Sequence, residues 1–432
     1  VTPHTTWRTA LAAACCLLAA LAAQAAPQAP DKKVFDAHAT TFNYFFKDGD
    51  MDFHFGNLVL GAAVTGGMEI GEAFYAASHI PDGDAAAWRA QWAALAGRVE
   101  ARGQASLAAG HAVSAREALL RAANYYRISL ISMPPDNPEF ARRGARVREL
   151  MRQAGPLFDP PLEYFEIPFE GGALPGYFRA APGKGPHKTL LMIGGGETFA
   201  EDQYFYIAPK AFERGYNFVT VDLPGQGLLP ARGMVFRTDT FVPMKAVVDY
   251  VLSRPEVDPA RLAAYGISGG GLFVPQAAQR DPRLKAVAMN FAVVDGHAMF
   301  AAMPVATVTT RDMAAWSTFH RDVVRSICWR FGVSPDDPAG LVAANKGNTF
   351  DPAAIAAPAL IIVGEGEYRN PEVRRQQQLA LDGFKNPATK MVITPTDEGA
   401  SNHCIMENRS MVGLVLFDWL DEVMGQPTRD GG

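Results

Sequence analysis

The stretch Leu262-Ala-Ala-Tyr265-Gly266-Ile267-Ser268-Gly269-Gly270-Gly271-Leu272-Phe273-Val274 decides how the rest of the chain is read. A short apolar run of strand length enters a G-x-S-x-G and leaves it in a helical pattern. Between a strand and a helix, that motif is a sharp turn that holds a serine exposed above a sheet. Its glycines let neighbouring backbone pass without a side-chain clash. A phosphate-cradling glycine loop competes as a reading, but the Lys-Ser/Thr ending of such a loop is missing.

Working outward, short apolar runs recur at Thr189 to Ile193, Asn217 to Val221, Ala286 to Phe291, Ala359 to Val363 and Lys390 to Ile393. Helical patterns such as Met244 to Ser253 and Phe273 to Gln279 lie between them. Strands alternating with helices predict an α/β fold, a mostly parallel sheet with helices on both faces. Tyr164 to Pro168 and Leu174 to Arg179 flank Glu170-Gly-Gly172, a turn that joins two further strands. Residues 296–350 break the rhythm and read as a helical insertion between late strands. Before Leu162 the period is helical. Expected helices are Gly56 to Ser78, one carrying Trp88 and Trp92 at i, i+4, Ala115 to Leu130 opened by a capping box at Ser114-Ala-Arg-Glu117, and Pro138 to Gln153. Together they predict an N-terminal helical cap over residues 35–157, followed by a sheet domain over 158–426.

A serine nucleophile needs a base and an acid that fixes the base's tautomer, and on such a sheet they follow in the order Ser, acid, His. Three histidines follow Ser268. His403 sits in a loop after the last strand, where the base belongs, whereas His297 and His320 read as structural or pocket-lining. For the acid, Glu367 stands three residues past Gly364 after the strand Ala359 to Val363. Glu365 and Asp295, the latter closing the preceding strand, are the alternatives. Oxyanion donors are expected from the backbone of Gly269 and from Gly195, Gly196 or Glu197 in the Gly194-Gly-Gly-Glu-Thr198 loop. Asp222-Leu-Pro-Gly-Gln-Gly227 reads as a structural turn.

With these elements in place the chain from Leu162 to Val423 resembles the α/β-hydrolase superfamily. Ser114-Ala-Arg-Glu-Ala-Leu-Leu-Arg-Ala-Ala-Asn-Tyr-Tyr-Arg127, Gly194-Gly-Gly-Glu-Thr-Phe199 and Asn402-His-Cys404 resemble, more narrowly, the group of dihydroxypseudooxynicotine hydrolase, FrsA-like esterases and fungal polyketide-shortening hydrolases. The resemblance implies a helical cap over the serine and a Ser/acid/His triad falling on Ser268, Glu367 or Asp295, and His403. In several members it also implies hydrolysis of a C–C bond beside a ketone. Asp295 is then the residue to supply an extra proton if Glu367 serves the triad. An exopeptidase or amidase on the same frame, and an inactive binding protein, are the competing functions. No metal or organic cofactor is implied.

Composition sets the outer bounds. Forty-five acidic against 40 basic residues give a formal charge of −5, which offers no basic footprint for nucleic acid. Four cysteines in 432 residues are too few for a disulfide scaffold. Residues 1–25 carry His4 and Arg8, an apolar run from Ala10 to Ala23 and an Ala23-Gln-Ala25 site, the parts of an export signal cleaved after Ala25. Cleavage removes Arg8, Cys15 and Cys16, moves the charge to −6 and leaves Cys328 and Cys404. The expected mature protein is periplasmic or secreted, takes a small-molecule substrate and has no membrane span. A homodimer is left open.

Overall fold

The computed structural model describes residues 36–425 except residue 135, so the expected export signal and its expected cleavage site lie outside the described residues. The expected sheet is present, with eight strands in the order β1-β2-β4-β3-β5-β6-β7-β8. β1 (Leu162–Phe169) and β2 (Gly172–Arg179) form an antiparallel hairpin across the predicted turn, and β2 pairs antiparallel with β4 (Asn217–Val221). β3 (His187–Ile193), β5 (Val257–Ile267), β6 (Ala286–Asn290), β7 (Ala359–Gly364) and β8 (Lys390–Thr394) continue parallel to β4. In this order the carboxyl ends of the parallel strands share one edge of the sheet, where open α/β sheets bind ligands.

Two apolar clusters cover the sheet. One runs from the buried Trp88 and Trp92 of the N-terminal helices to the sheet residues Leu190, Met192 and Tyr265. The other gathers Leu191, Val219, Val247, Val274 and Val287 on the opposite face. The helical region therefore shares a core with the sheet. Its long members are Ala85–Ala108, Ala112–Ile128 and Glu139–Ala154. The first is capped by Asp84, whose carboxylate accepts the Ala87 N–H.

Two helix expectations need correcting. Gly56 to Ser78 is broken. An α-helical turn at Gly49–Phe53 passes into a π-helical stretch, His54–Val59, and a 3₁₀ stretch, Leu60–Thr65, that stops at Gly66 with φ 77°. Ile70–Ala77 then starts afresh. Gly66 in the left-handed region satisfies the helix end, a local requirement that outweighs the apolar period. The predicted capping box at Ser114 is not a cap, because the helix begins at Ala112, just after Gly110 (φ 78°) and His111. Residues 296–350 form short helices between β6 and β7, Thr318–Arg330 being the longest of them.

Candidate active site

Ser268 follows β5 with φ 53°, the strained left-handed backbone expected where a side chain is held above a sheet edge. Its N–H donates to the Asn290 carbonyl at 2.7 Å. A Cβ on Gly266 would lie 2.0 Å from the Gly270 carbonyl oxygen, and one on Gly270 2.5 Å from that of Ile193. The glycines beside the serine are therefore required by close backbone passage.

His403 and Glu367 arrive from other strand ends. His403 Nδ1 lies 2.6 Å from Glu367 Oε1, and His403 Nε2 lies 2.9 Å from Ser268 Oγ. Since a carboxylate can only accept, Nδ1–H donates to Glu367 and Nε2 is left to accept the serine proton. Both side chains are buried. Burial disfavours the imidazolium, but Cys404 and the Glu367 carboxylate outweigh it and raise the His403 pKa above the ordinary imidazole value.

The other two acid candidates lie elsewhere. Asp295 caps the helix Gly296–Ala301, its carboxylate accepting the Ala298 N–H at 3.0 Å. It is absent from the lining of the cavity above Ser268, so the expected alternative roles as triad acid or extra proton donor have no geometric support. The position at the end of β6 favoured it, but the helix that starts there uses its carboxylate. Glu365 turns to Thr396, accepting from its N–H at 3.1 Å and its hydroxyl at 2.6 Å.

The Gly194–Thr198 loop lies against the serine. A Cβ on Gly195 would come within 2.4 Å of Ser268 Cβ and 3.1 Å of the Gly269 nitrogen. Gln226 Nε2 donates to the Gly194 and Gly195 carbonyls at 2.7 and 3.1 Å, and Thr198 Oγ1 donates to Gly195 O. These bonds occupy the loop's carbonyls. Among the described residues no protein acceptor takes the N–H of Gly196 or Gly269. Glu197 behaves differently from its glycine neighbours: its carbonyl accepts from Arg127 at 2.8 Å, and its carboxylate points to His38. Asp222 is structural as expected, with the Ala200 N–H on one oxygen and Arg148 on the other.

The His403 loop is braced by groups that have no motif. Cys404 and Ile405 have φ of 57° and 50°. The Cys404 carbonyl accepts from Tyr206 at 2.6 Å and from Asn290 Nδ2 at 3.0 Å. Cys328 and Cys404 are both buried free thiols. From the N-terminal segment, Tyr44 accepts from Asn402 Nδ2 at 3.0 Å, and the Thr41 N–H donates to Asn402 Oδ1.

Above Ser268 is a cavity of about 240 Å³. Phe273, Phe291, Met299, Phe300, Trp316 and Phe331 make much of its wall apolar, and the insertion supplies several of them. His320 lines it too, whereas His297 is exposed and bonds the Val342 carbonyl. The sequence reading did not single out His38, Asp50 and His54, which also face this cavity. Asp50 accepts from His38 Nδ1 at 2.5 Å and from His320 Nδ1, and its carbonyl meets His54 Nδ1 at 2.7 Å. Burial and neighbouring His38 lower His54 to about 3. Burial alone would raise Glu197, but His38 beside it holds it down at about 2.

A family model for FrsA-like esterases matches residues 84–313, more than half of the chain and across both the helical region and the serine turn. The chain belongs to the FrsA-like esterase family. Among curated relatives of this FrsA-like protein, hydrolase ORFZ of Pyricularia oryzae is 36% identical over 264 residues, 56% of this chain and 61% of that protein. The 20-hydroxy-prefusarin hydrolase of Gibberella moniliformis is 34% identical over 242 residues, 53% of this chain and 57% of that protein. The match thus spans about three fifths of those relatives' lengths. In fold, the FrsA-like chain is similar to the crystal structure of 2,6-dihydroxy-pseudo-oxynicotine hydrolase, with a TM-score of 0.67 at 23% identity, covering 84% of this chain and 95% of that one. AbyA5 follows with a TM-score of 0.62 at 18% identity, covering 86% and 95%. These neighbours share the α/β-hydrolase fold.

Proposed function

We propose that this FrsA-like protein is an exported serine hydrolase that cleaves a carboxylic ester, or a C–C bond beside a ketone, in a small to medium substrate with aromatic character. The observation that carries the reading is the continuous chain Glu367–His403–Ser268 at 2.6 and 2.9 Å. In it His403 takes the proton of Ser268 as the hydroxyl oxygen attacks the carbonyl carbon. Glu367 holds the ring in the acceptor tautomer and offsets the imidazolium charge. The N–H of Gly269 and one from the Gly195–Gly196 loop receive the oxyanion. His403 then returns the proton to the leaving group, and water, deprotonated by the same imidazole, releases the acid from the acyl-enzyme. The apolar aromatic wall of the cavity supports the substrate class.

The test compares an activated aryl ester with an aryl 1,3-diketone, using wild type and Ser268→Ala. Turnover of either substrate that is lost in the variant supports the reading. Undiminished turnover in Ser268→Ala overturns it, and turnover of neither substrate by the wild type counts against the substrate class.

A further inference from the structure

We propose that His38, His54 and Glu197 form a site for a divalent transition-metal ion of the zinc type in the roof of the cavity. One ligand atom from each of the three lies within 4.8 Å of the others. His38 Nε2 and Glu197 Oε2 are 3.5 Å apart. That is long for a hydrogen bond, yet it matches the ~3.4 Å edge of a tetrahedron built on metal–ligand bonds of about 2.0–2.1 Å.

The surroundings of the two rings point the same way. His38 Nδ1 is held by the Asp50 carboxylate at 2.5 Å, and His54 Nδ1 by the Asp50 carbonyl at 2.7 Å. A ring that donates Nδ1–H to a carboxylate or carbonyl keeps the Nε2 lone pair for a metal, and such outer partners orient metal-binding histidines generally. Here one residue orients both rings. Its second carboxylate oxygen is taken by His320, so Asp50 is itself fixed. The π-helical stretch His54–Val59 is a local distortion of a kind frequent at functional sites, and His54 is its first residue.

Two cations stand near and oppose a metal. Arg127 is paired with Asp202 at 2.9 Å, and Arg330 donates to the Gly225 and Gly227 carbonyls. Glu197 and Asp50 supply the anionic charge against them. All three ligand residues line the cavity, and three protein ligands leave a fourth position for an oxygen ligand, either water or a carbonyl of a bound molecule. The site does not depend on the role proposed for Ser268.

The experiment uses chelator-stripped full-length protein titrated with Zn²⁺ in competition with a chromogenic chelator, and with Co²⁺ followed by its visible absorption. Wild type is expected to bind one equivalent, with a tetrahedral Co²⁺ spectrum. His38→Gln and Glu197→Gln are expected to weaken Zn²⁺ at least tenfold, and Asp50→Asn 10- to 100-fold. Circular dichroism checks that each variant is folded. His38→Gln and Glu197→Gln both change side chains that are only partly buried, so neither is expected to unfold the protein. Ser268→Ala should bind as wild type does, so loss of hydrolysis and loss of metal are read separately. Absence of a stoichiometric Zn²⁺ complex in the wild type, or unchanged affinity in His38→Gln, overturns the proposal and leaves a His38–Glu197 ion pair.

Discussion

The edge of the sheet and the roof above it solve the same problem, placing polar side chains around one cavity, by opposite means. At the sheet edge Ser268 and Glu367 sit within three residues of a strand end, His403 lies in the loop that follows the last strand, and backbone packing fixes them. Ser268 is strained between glycines that cannot carry a Cβ, and His403 hangs from a loop pinned through the Cys404 carbonyl. In the roof, groups come from distant segments, as when Asp50 meets His320 across 270 residues, and their pairings run mainly through side chains. The first arrangement is rigid by topology. The second depends on pairings that a single substitution can undo.

Removing the sheet-edge nucleophile should have the largest effect. Ser268→Ala is expected to lower kcat by ~10⁶-fold, measured on an aryl ester, with little change in Tm. Glu367→Gln should lower kcat by ~10⁴-fold through the wrong His403 tautomer, whereas Asp295→Asn should stay within about twofold of wild type. Similar losses in those two variants would break the assignment of the acid to the end of β7.

Glycine substitutions sharpen the contrast in stability. Gly266→Ala forces a Cβ to within 2.0 Å of a carbonyl oxygen and should cost about 3 kcal/mol by urea unfolding. In the cap helix Ile70–Ala77, Gly71 has nothing within 4 Å, and Gly71→Ala should stabilise by about 0.5–1 kcal/mol. The pH profile reports on the buried base. Since His403 is raised above its ordinary value, the imidazolium persists to higher pH and the unprotonated base is lost earlier on acidification. The acid limb of kcat/KM should therefore have its midpoint above pH 6.5. The smallest effect belongs to the contact between the two regions: Tyr44→Phe removes the acceptor of Asn402 Nδ2 and should lower kcat only a few-fold, a loss of about 1 kcal/mol.

The same contrast explains what could be read from the chain. The parallel strands and the G-x-S-x-G turn were legible because strand period, glycine placement and order along the chain are local signals. Glu367 was preferred to Asp295 by its spacing from Gly364, and the structure brings Glu367 to His403 while Asp295 serves a helix start. Helix boundaries in the N-terminal region were misread where Gly66 ends one stretch and Gly110 precedes the next start. His38, Asp50 and His54 carried no signal: lone polar residues among aromatics look like solvated or satisfied groups until the fold closes them over the serine. A scan for histidines near Asp in the aromatic segment Phe35 to Phe55 was the one cue available.

Reaction with a fluorophosphonate probe, read by intact-protein and peptide mass, tests the central claim most directly. The account predicts one covalent equivalent on the peptide carrying Ser268, absent in Ser268→Ala, strongly slowed in His403→Ala and unaffected in Asp295→Asn. No adduct on the wild type, or an equal adduct on Ser268→Ala, would contradict it.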